Sequence, residues 1–150
     1  PDSRHAKPGE LLGTGKTEHT VPAEIRFPKF FHQRGMLSMA REPDEVNPDR
    51  ASSGSQFFIV TGRTYMPQEL KPIETQVKAM TQGEARYTDR VRLAYENNGG
   101  VPHLDGQYTV FGRVVEGLDT VKSIQTVPTD ENDRPIEDIR IVRATVVKEE

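Results

Sequence analysis

The sequence contains no cysteine, which excludes disulfide bonds and thiolate metal sites. It lacks any apolar run of the length that a transmembrane helix requires, and no signal peptide is visible. No tract rich in lysine and arginine is present, and the net charge of -3 argues against a protein that binds a nucleic-acid backbone. The remaining composition, 33% hydrophobic and 29% charged over 150 residues, is typical of one soluble domain.

The chain starts at Pro1 rather than at an initiator methionine. We therefore expect it to begin inside a longer product or to have been processed or trimmed. Any targeting signal would then lie upstream, so the sequence leaves the compartment open between cytoplasmic and exported.

Several short patterns resemble ligand-binding motifs but lack a required part. Gly13–Thr17 is similar to the end of a phosphate-binding loop, yet Glu10 stands where that motif needs its first glycine. Asp130, Asn132 and Asp133 suggest a calcium loop, but Arg134-Pro135 replaces the ligands that should follow, so we expect a solvated turn. The histidines show no metal-ligand spacing, and no G-x-S-x-G element indicates a serine hydrolase. We predict neither a metal nor a cofactor.

The pattern of apolar residues predicts strands over 35–40, 56–61 and 108–115, with further strands near 23–27 and over 139–147. Residues 66–98 differ, because their apolar positions recur every three or four residues as on one helical face. The members of this face are Leu70, Ile73, Val77 and Met80. A second helix is predicted from Thr88-Asp89 to the Asn97–Gly100 segment, and a short one over 118–125.

The most informative stretch is Gly54–Val60, in which Gln56 opens a run of aromatic and β-branched residues. A buried amide must be hydrogen-bonded or it costs a few kcal/mol. Gln56 therefore either satisfies a neighbouring loop or faces a cleft in which a ligand takes that place. Phe58 lies on the same face of the strand, two residues on. An ordinary core strand is the alternative interpretation.

Four blocks in collinear order resemble the cyclophilin family of peptidyl-prolyl cis-trans isomerases. The blocks are Gly35–Ala40 (G-x-L-S-M-A), Gly54–Phe58 (G-S-Q-F-F), Leu104–Gly112 and Val115–Asp119. The opening residues 1–15 are similar to the loop that follows the family's Q-G-G-D turn. The resemblance covers 1–65 and 99–148 and implies a mainly β fold, an antiparallel cyclophilin-like β-barrel with a short helix in its C-terminal half.

By this resemblance, residues 1–150 form a single domain that lacks the family's N-terminal strands and its Phe-His-Arg motif, which carries a catalytic arginine. Residues 66–98 have no counterpart in a minimal cyclophilin and are expected to be a helical insertion. The Phe31–Arg34 segment is not expected to replace the missing motif, because it has an extra residue and lies in the wrong order. Arg34 is therefore not predicted to be catalytic, and His32 is expected to be a partly buried residue at a strand entry.

The implied activity is rotation about X-Pro bonds, which breaks no covalent bond and so needs neither a nucleophile nor a cofactor. A catalyst must bind the twisted amide better than either planar form. The resemblance implies that Phe58 and Leu104 form an apolar socket for proline, with Tyr108 at its rim, and that Gln56 bonds the substrate backbone. The residues implied for the site are Ala40, Arg41, Glu42, Gln56, Phe58, His103, Leu104 and Tyr108.

Structural alternatives remain for some of these residues, since Arg41 is also consistent with a solvated side chain and His103 with a plain loop residue. His103 and Tyr108 stand where many family members carry tryptophan and histidine, which leaves the substrate preference open.

Three functions follow as hypotheses. The first is a bacterial-type isomerase acting on proline-containing peptides or unfolded protein segments. The second is a proline-peptide binding or chaperone-like module without catalysis. The third is an assembly protein that docks a partner on the apolar face of 66–98. An incomplete barrel exposes sheet edges, so we also expect an upstream segment, self-association, or support from the insertion.

Overall fold

The computed structural model describes residues 5–15 and 19–148. Lys16 and Thr17 of the phosphate-loop pattern, and the first residues of the opening loop, lie outside them. The chain divides into two compact units, 16–121 and the combination of 1–15 with 122–150. In the described part of the chain, no helix is both long and apolar enough to span a membrane.

The unit 16–121 contains two antiparallel sheets. Strand β1 (Thr20–Val21) pairs with β3 (Ser52–Ser53). Strand β2 (Met36–Met39) is the centre of a second sheet, between β4 (Phe57–Ile59) and β5 (Val110–Arg113). The predicted antiparallel β architecture is confirmed, although the described strands form open sheets and do not close into a barrel.

The register of the second sheet separates two faces. Ser38 lies opposite Phe58, and Met39 lies opposite Phe57. Because directly opposed residues in a sheet share a face, Phe58 and Phe57 point to different sides. Phe57 packs edge-on against Phe111, and these rings are 49% and 52% exposed. One face of the sheet therefore stays open and apolar, while the other faces the interior of the unit.

Both helices predicted for residues 66–98 are present. That these residues are an insertion stays a prediction, and the segment is called the insertion below for brevity. Helix α1 (Pro67–Met80) begins with a proline at its first position, where the missing N–H costs no hydrogen bond. The Glu69 carboxylate accepts from the Met66 N–H at 2.7 Å and so caps the first turn. Helix α2 (Asp89–Asn97) begins after Thr88, whose hydroxyl accepts from the Val91 N–H.

The insertion packs inward against the rest of its unit. A core of buried residues joins Phe31 to Leu70, Val91 and Tyr95. Val77 is also buried, whereas Met80 at the end of α1 is 46% exposed. Most of the apolar face predicted for α1 is therefore buried inside the unit. Little of it is left exposed for a partner, which argues against the docking hypothesis.

Gly100 sets the backbone that connects the insertion to the candidate site. Its φ of +147° lies in the region that favours glycine, and an added Cβ would overlap the carbonyl oxygen of His32. The next residue, Val101, donates its N–H to that same oxygen at 2.9 Å. This close approach carries the short 3₁₀ helix Pro102–Leu104 and the following Asp105 to the side of His32.

The other unit is organised around Arg134, which is 7% exposed. Its guanidinium donates to the carbonyl oxygens of Lys7 and Glu10 and forms an ion pair with Asp138. The Asp130 carboxylate accepts from the backbone N–H groups of Asn132 and Arg134. The calcium-loop pattern is therefore a turn closed by its own aspartate, as expected.

Two strand predictions are wrong. Residues 23–27 are irregular, and prolines 22 and 28 at their ends have no N–H to donate to a ladder. Residues 139–147 are also irregular, with Val142 and Val146 each 96% exposed. A segment of alternating apolar and polar residues forms a strand only when another strand pairs with it. The described residues of this unit contain no such partner strand. Helix α3 (Leu118–Gln125) agrees with its predicted bounds.

Candidate functional site

Three aromatic rings meet on the inner face of the second sheet, and we call them the ring cluster: His32, Phe58 and Tyr108. The Phe58 and Tyr108 rings lie edge to face, with centroids 6.1 Å apart at 80°. The His32 ring lies 6.3 Å from each, stacked on Phe58 and perpendicular to Tyr108. Phe58 and Tyr108 are half-buried, whereas His32 is 1% exposed. The cluster is thus an accessible apolar surface with a buried histidine behind it.

Arg41 covers the ring of Tyr108. Its guanidinium carbon lies 4.6 Å from the ring centroid, a cation–π geometry. Its Nε donates to the Gln107 carbonyl at 2.8 Å, and one terminal nitrogen donates to the Glu42 carbonyl at 2.9 Å. An ion pair with Asp44 completes its contacts and leaves the side chain 5% exposed. The alternative of a solvated arginine is therefore wrong.

Ala40 and Gln56 extend the pairing of β2 and β4 by one step. The Ala40 N–H donates to the Gln56 carbonyl at 3.0 Å, and the Ala40 carbonyl accepts from the Ser53 N–H at 2.8 Å. Gln56 is half-buried and lies two residues before Phe58. Five of the predicted site residues are therefore brought together: Ala40, Arg41, Gln56, Phe58 and Tyr108.

The remaining predicted residues lie at the margin. The Glu42 side chain is exposed, and its backbone carbonyl accepts from Arg41. His103 is exposed, and its carbonyl accepts from the Gln107 side-chain amide at 2.8 Å. Leu104 is half-buried at the end of the 3₁₀ helix. The site roles of Glu42, His103 and Leu104 stay predictions, as do those of the other members.

Behind the ring cluster lies a buried hydrogen-bond network centred on Asp105, which we call the Asp105 cluster: His32, Tyr87, Tyr95 and Asp105. One carboxylate oxygen of Asp105 accepts from both the backbone N–H and the ring Nδ1 of His32, each at 2.9 Å. The other accepts from the hydroxyl of Tyr95 at 2.7 Å and from that of Tyr87 at 2.8 Å. The single proton of the Tyr87 hydroxyl is shared with the Pro102 carbonyl oxygen, which lies 2.7 Å away. The expectation that His32 is only partly buried is wrong, because its side chain is 1% exposed. The acceptor that permits this burial lies 73 residues away in sequence, so local sequence did not reveal it.

The protonation of the two tyrosines follows from this environment. Burial, followed by the negative charge of Asp105, raises the pKa of Tyr87 and of Tyr95 well above the ordinary value for tyrosine. Both hydroxyls therefore remain protonated and act as hydrogen-bond donors. Two neutral donors from the insertion thus solvate a carboxylate that water does not reach.

Ser38, His32 and Asp105 are bonded in the order found in serine hydrolases, but they have no access to a substrate. The His32 Nε2 lies 3.0 Å from the Ser38 hydroxyl, which donates to the Thr109 carbonyl at 3.0 Å. Ser38 is 0% exposed. A nucleophile must reach its target atom, so this arrangement holds the sheet and the histidine together rather than attacking a substrate.

The Arg34 side chain binds the loop after β4. Its guanidinium donates to the carbonyl oxygens of Thr61 and Gly62, at 3.2 and 2.8 Å. These bonds fasten the loop that follows β4, which supports its exclusion as the catalytic cation.

Sequence reasoning missed the Asp105 cluster. The available signal was Asp105 itself, a carboxylate beside the turn-forming Gly106 in a largely apolar block. Its donors come from two separate segments, His32 and the stretch from Tyr87 to Tyr95, and no motif spacing connects them to Asp105.

Comparison with known proteins gives a consistent result. The family model described as cyclophilin type peptidyl-prolyl cis-trans isomerase/CLD matches residues 2–146. The peptidyl-prolyl cis-trans isomerase-like 1 of Neurospora crassa is 49% identical over 148 residues, which is 95% of this chain and 64% of the relative. A putative peptidyl-prolyl cis-trans isomerase of Staphylococcus saprophyticus is 33% identical over 135 residues, 89% of this chain and 61% of the relative.

The peptidyl-prolyl cis-trans isomerase-like 2 of Rhizopus delemar is 33% identical over 138 residues, 89% of this chain but only 18% of that protein. The chain thus spans less than two thirds of the length of each of these relatives. They come from fungi and from bacteria, so the bacterial type stays a prediction. A family match over nearly the whole chain shows that the chain belongs to the cyclophilin family.

Proposed function

We propose that this chain is a peptidyl-prolyl cis-trans isomerase that accelerates rotation about X-Pro bonds in flexible peptide segments. The observation that carries the proposal is the half-buried pair of Phe58 and Tyr108, which offers apolar ring surface beside the amide of Gln56. A proline ring is apolar and flat enough to pack against such a pair. The names of the relatives support the same activity.

In this proposal the protein acts by binding the twisted amide more tightly than the planar forms. Phe58 and Leu104 form the socket for the proline ring, and Tyr108 forms its rim. The Gln56 amide bonds the substrate backbone, because an amide offers a donor and an acceptor at once. The peptide runs along the segment that begins at Ala40, with Glu42 and His103 at its margins. Rotation of the bond then needs no proton transfer and no covalent intermediate.

We assign to Arg41 the holding of Tyr108 rather than contact with the substrate. Its Nε donates to the Gln107 carbonyl, and its Nη1 contacts both the Glu42 carbonyl and the Asp44 carboxylate. Because the Arg41 side chain is only 5% exposed, its remaining donors have little access to the carbonyl of an X-Pro bond.

The engagement of Arg41 also supports a second candidate function, a module that binds proline peptides without catalysis. In the described part of the chain, Arg41 is the cation recorded against the ring cluster. A socket with a neutral amide and no free cation binds the planar ground state and the twisted state with similar strength, and uniform binding does not raise the rate.

Exchange NMR on a short Ala-Pro peptide at sub-stoichiometric protein distinguishes the two functions. Faster cis-trans exchange supports the isomerase, whereas shifted peptide signals without faster exchange support the binding module. If the peptide shows neither faster exchange nor shifted signals, both functions are contradicted. Gln56→Ala is expected to lower kcat/KM by about tenfold, as for one hydrogen bond worth about 1.4 kcal/mol.

Phe58→Ala and Phe57→Ala form a matched pair for the socket. The two rings are neighbours on β4 but point to opposite faces of the sheet. We expect Phe58→Ala to abolish the effect on the peptide and Phe57→Ala to preserve it in the folded protein. Equal losses in both variants at equal folded fraction would refute the assignment of the socket.

Self-association is a separate proposal, supported by the exposed rings of Phe57 and Phe111 on the open face of the sheet. Sedimentation velocity tests it, and a monomer at all concentrations would contradict it.

A further inference from the structure

The insertion reaches the ring cluster through a short chain of direct contacts. Tyr87 precedes α2 and Tyr95 lies on it, and both donate to one oxygen of Asp105. The other oxygen of Asp105 holds His32 by its backbone and by its ring. Asp105 is therefore the junction between the insertion and the histidine.

His32 connects Asp105 to the two accessible rings, because its imidazole contacts both Phe58 and Tyr108. Its ring plane lies within 13° of the plane of Phe58 and stands at 87° to that of Tyr108. Both ring nitrogens are engaged, Nδ1 with Asp105 and Nε2 with Ser38. A tilt of the imidazole would break both of these hydrogen bonds and change the surface on which Phe58 rests.

We propose that Tyr87 and Tyr95 are positioning residues for the isomerase site, acting through Asp105 and His32 on Phe58 and Tyr108. The inference rests on the proposed function. It assigns the insertion a role in setting the shape of the socket, whereas its hydrophobic packing alone would only stabilise the fold.

The physical reason is the burial of the Asp105 charge. The carboxylate is 0% exposed, so water does not replace a lost hydroxyl at no cost. When one donor is removed, the carboxylate rotates toward its remaining donors or admits a water molecule, and its bond to the His32 ring moves with it. In a dense interior, such a shift reaches the rings that pack against the histidine.

Replacement of tyrosine by phenylalanine separates the hydroxyl from the ring. Tyr87 also packs against Phe27, with centroids 5.1 Å apart, and Tyr95 packs against Phe31 at 5.5 Å. Phenylalanine keeps these ring contacts and removes the hydroxyls, including the contact of Tyr87 with the Pro102 carbonyl. Tyr65 supplies the matched control, because its ring lies edge-on to Tyr95 at 6.3 Å, whereas its hydroxyl is not one of the donors to Asp105.

The experiment compares the wild type, Tyr65→Phe, and the double variant Tyr87→Phe/Tyr95→Phe at a temperature where thermal unfolding shows all three to be folded. Exchange NMR on the Ala-Pro peptide gives kcat and KM, and ¹⁵N spectra of the imidazole report the environment of His32. We expect kcat/KM of the double variant to fall by about tenfold, as for a small misplacement of a binding group, and that of Tyr65→Phe by less than about twofold. The His32 ring signals should move in the double variant alone.

The proposal is overturned if the double variant matches Tyr65→Phe in kcat/KM, whether or not the His32 signals move. It is also overturned if activity falls while the His32 signals stay in place, because the effect would then not pass through the histidine. The wild-type measurement reports separately on the proposed function. If the wild type binds the peptide without accelerating exchange, the same comparison is made on peptide affinity. If it does neither, the proposed function fails first and this inference fails with it.

Discussion

Two carboxylates each bind a residue that contacts the ring of Tyr108, and they lie in opposite environments. Asp105 is 0% exposed and acts through His32, whose ring meets Tyr108 edge to face. The Asp44 side chain is 45% exposed and acts through Arg41, whose guanidinium lies over the ring of Tyr108. The first is surrounded by a histidine and two hydroxyls, the second by two guanidinium groups.

The difference shows how burial decides what a hydrogen bond is worth. A buried carboxylate that loses a donor is left partly unsolvated, so each bond to Asp105 matters for folding. An exposed carboxylate that loses a partner is solvated by water, and exposed ion pairs contribute from zero to about 1 kcal/mol. The partners of Asp105 come from two segments, one of which lies 73 residues away at His32, whereas Arg41 and Arg50 lie three and six residues from Asp44.

The largest effect is expected for Asp105→Ala, which leaves the His32 and tyrosine donors without their acceptor. The free energy of unfolding should fall by about 4 kcal/mol, as for a broken buried charged network. Urea denaturation followed by circular dichroism measures this. Asp44→Ala is the matched control and should cost less than about 1 kcal/mol. Similar costs for the two variants would contradict the comparison.

Gly100→Ala tests the backbone that carries Asp105 to His32. The φ of +147° and the overlap of a Cβ with the His32 carbonyl predict a loss of about 3 kcal/mol in the free energy of unfolding. Gly83→Ala is the control, because Gly83 also has a positive φ but open space around it. Its cost should be about 1 kcal/mol, from the backbone conformation alone. Equal costs in the same urea titration would argue against the close approach.

Arg41→Lys tests the second support of Tyr108. Lysine keeps the charge but loses the planar stacking over the ring and the Nε bond to the Gln107 carbonyl. We expect a cost of about 1.5 kcal/mol in the free energy of unfolding. The Tyr108 ring protons should also shift in the NMR spectrum, because a cation no longer covers the ring. Arg26→Lys, at an exposed ion pair with Glu24, should leave both quantities unchanged.

The smallest effect concerns pH. Although partial burial acts to raise it, hydrogen bonds from Arg50 and Arg41 lower the pKa of Asp44 below its ordinary value of 3.8. A carboxyl whose pKa is lowered on folding stabilises the folded state above its unfolded-state pKa, and this contribution is lost as pH falls through the lower, folded-state pKa. After screening by solvent it amounts to less than about 1 kcal/mol.

Urea midpoints of the wild type and of Asp44→Asn should therefore converge as the pH is lowered below 3.8, the ordinary pKa of this carboxyl. A gap between them that widens on acidification would contradict the sign of this effect.

The helices and the three strands of the second sheet could be predicted from the sequence alone, and the site residues stay a prediction. The spacing of apolar residues predicted α1, α2 and α3, because a helix satisfies its backbone within one segment and shows its buried face at intervals of three and four. The collinear blocks predicted that Gln56, Phe58 and Tyr108 belong to one site. Phe58 and Tyr108 are in direct contact, and Gln56 precedes Phe58 on the same strand.

The features that depend on distant partners could be seen only in the folded protein. The strand predicted over 139–147 is exposed and irregular, since alternation alone does not supply a neighbouring strand. His32 is fully buried because Asp105, 73 residues away, accepts from its ring, and Asp105 is tolerated there because the insertion provides two hydroxyls. A buried charge needs all its donors at once, and these donors come together only after the chain has folded.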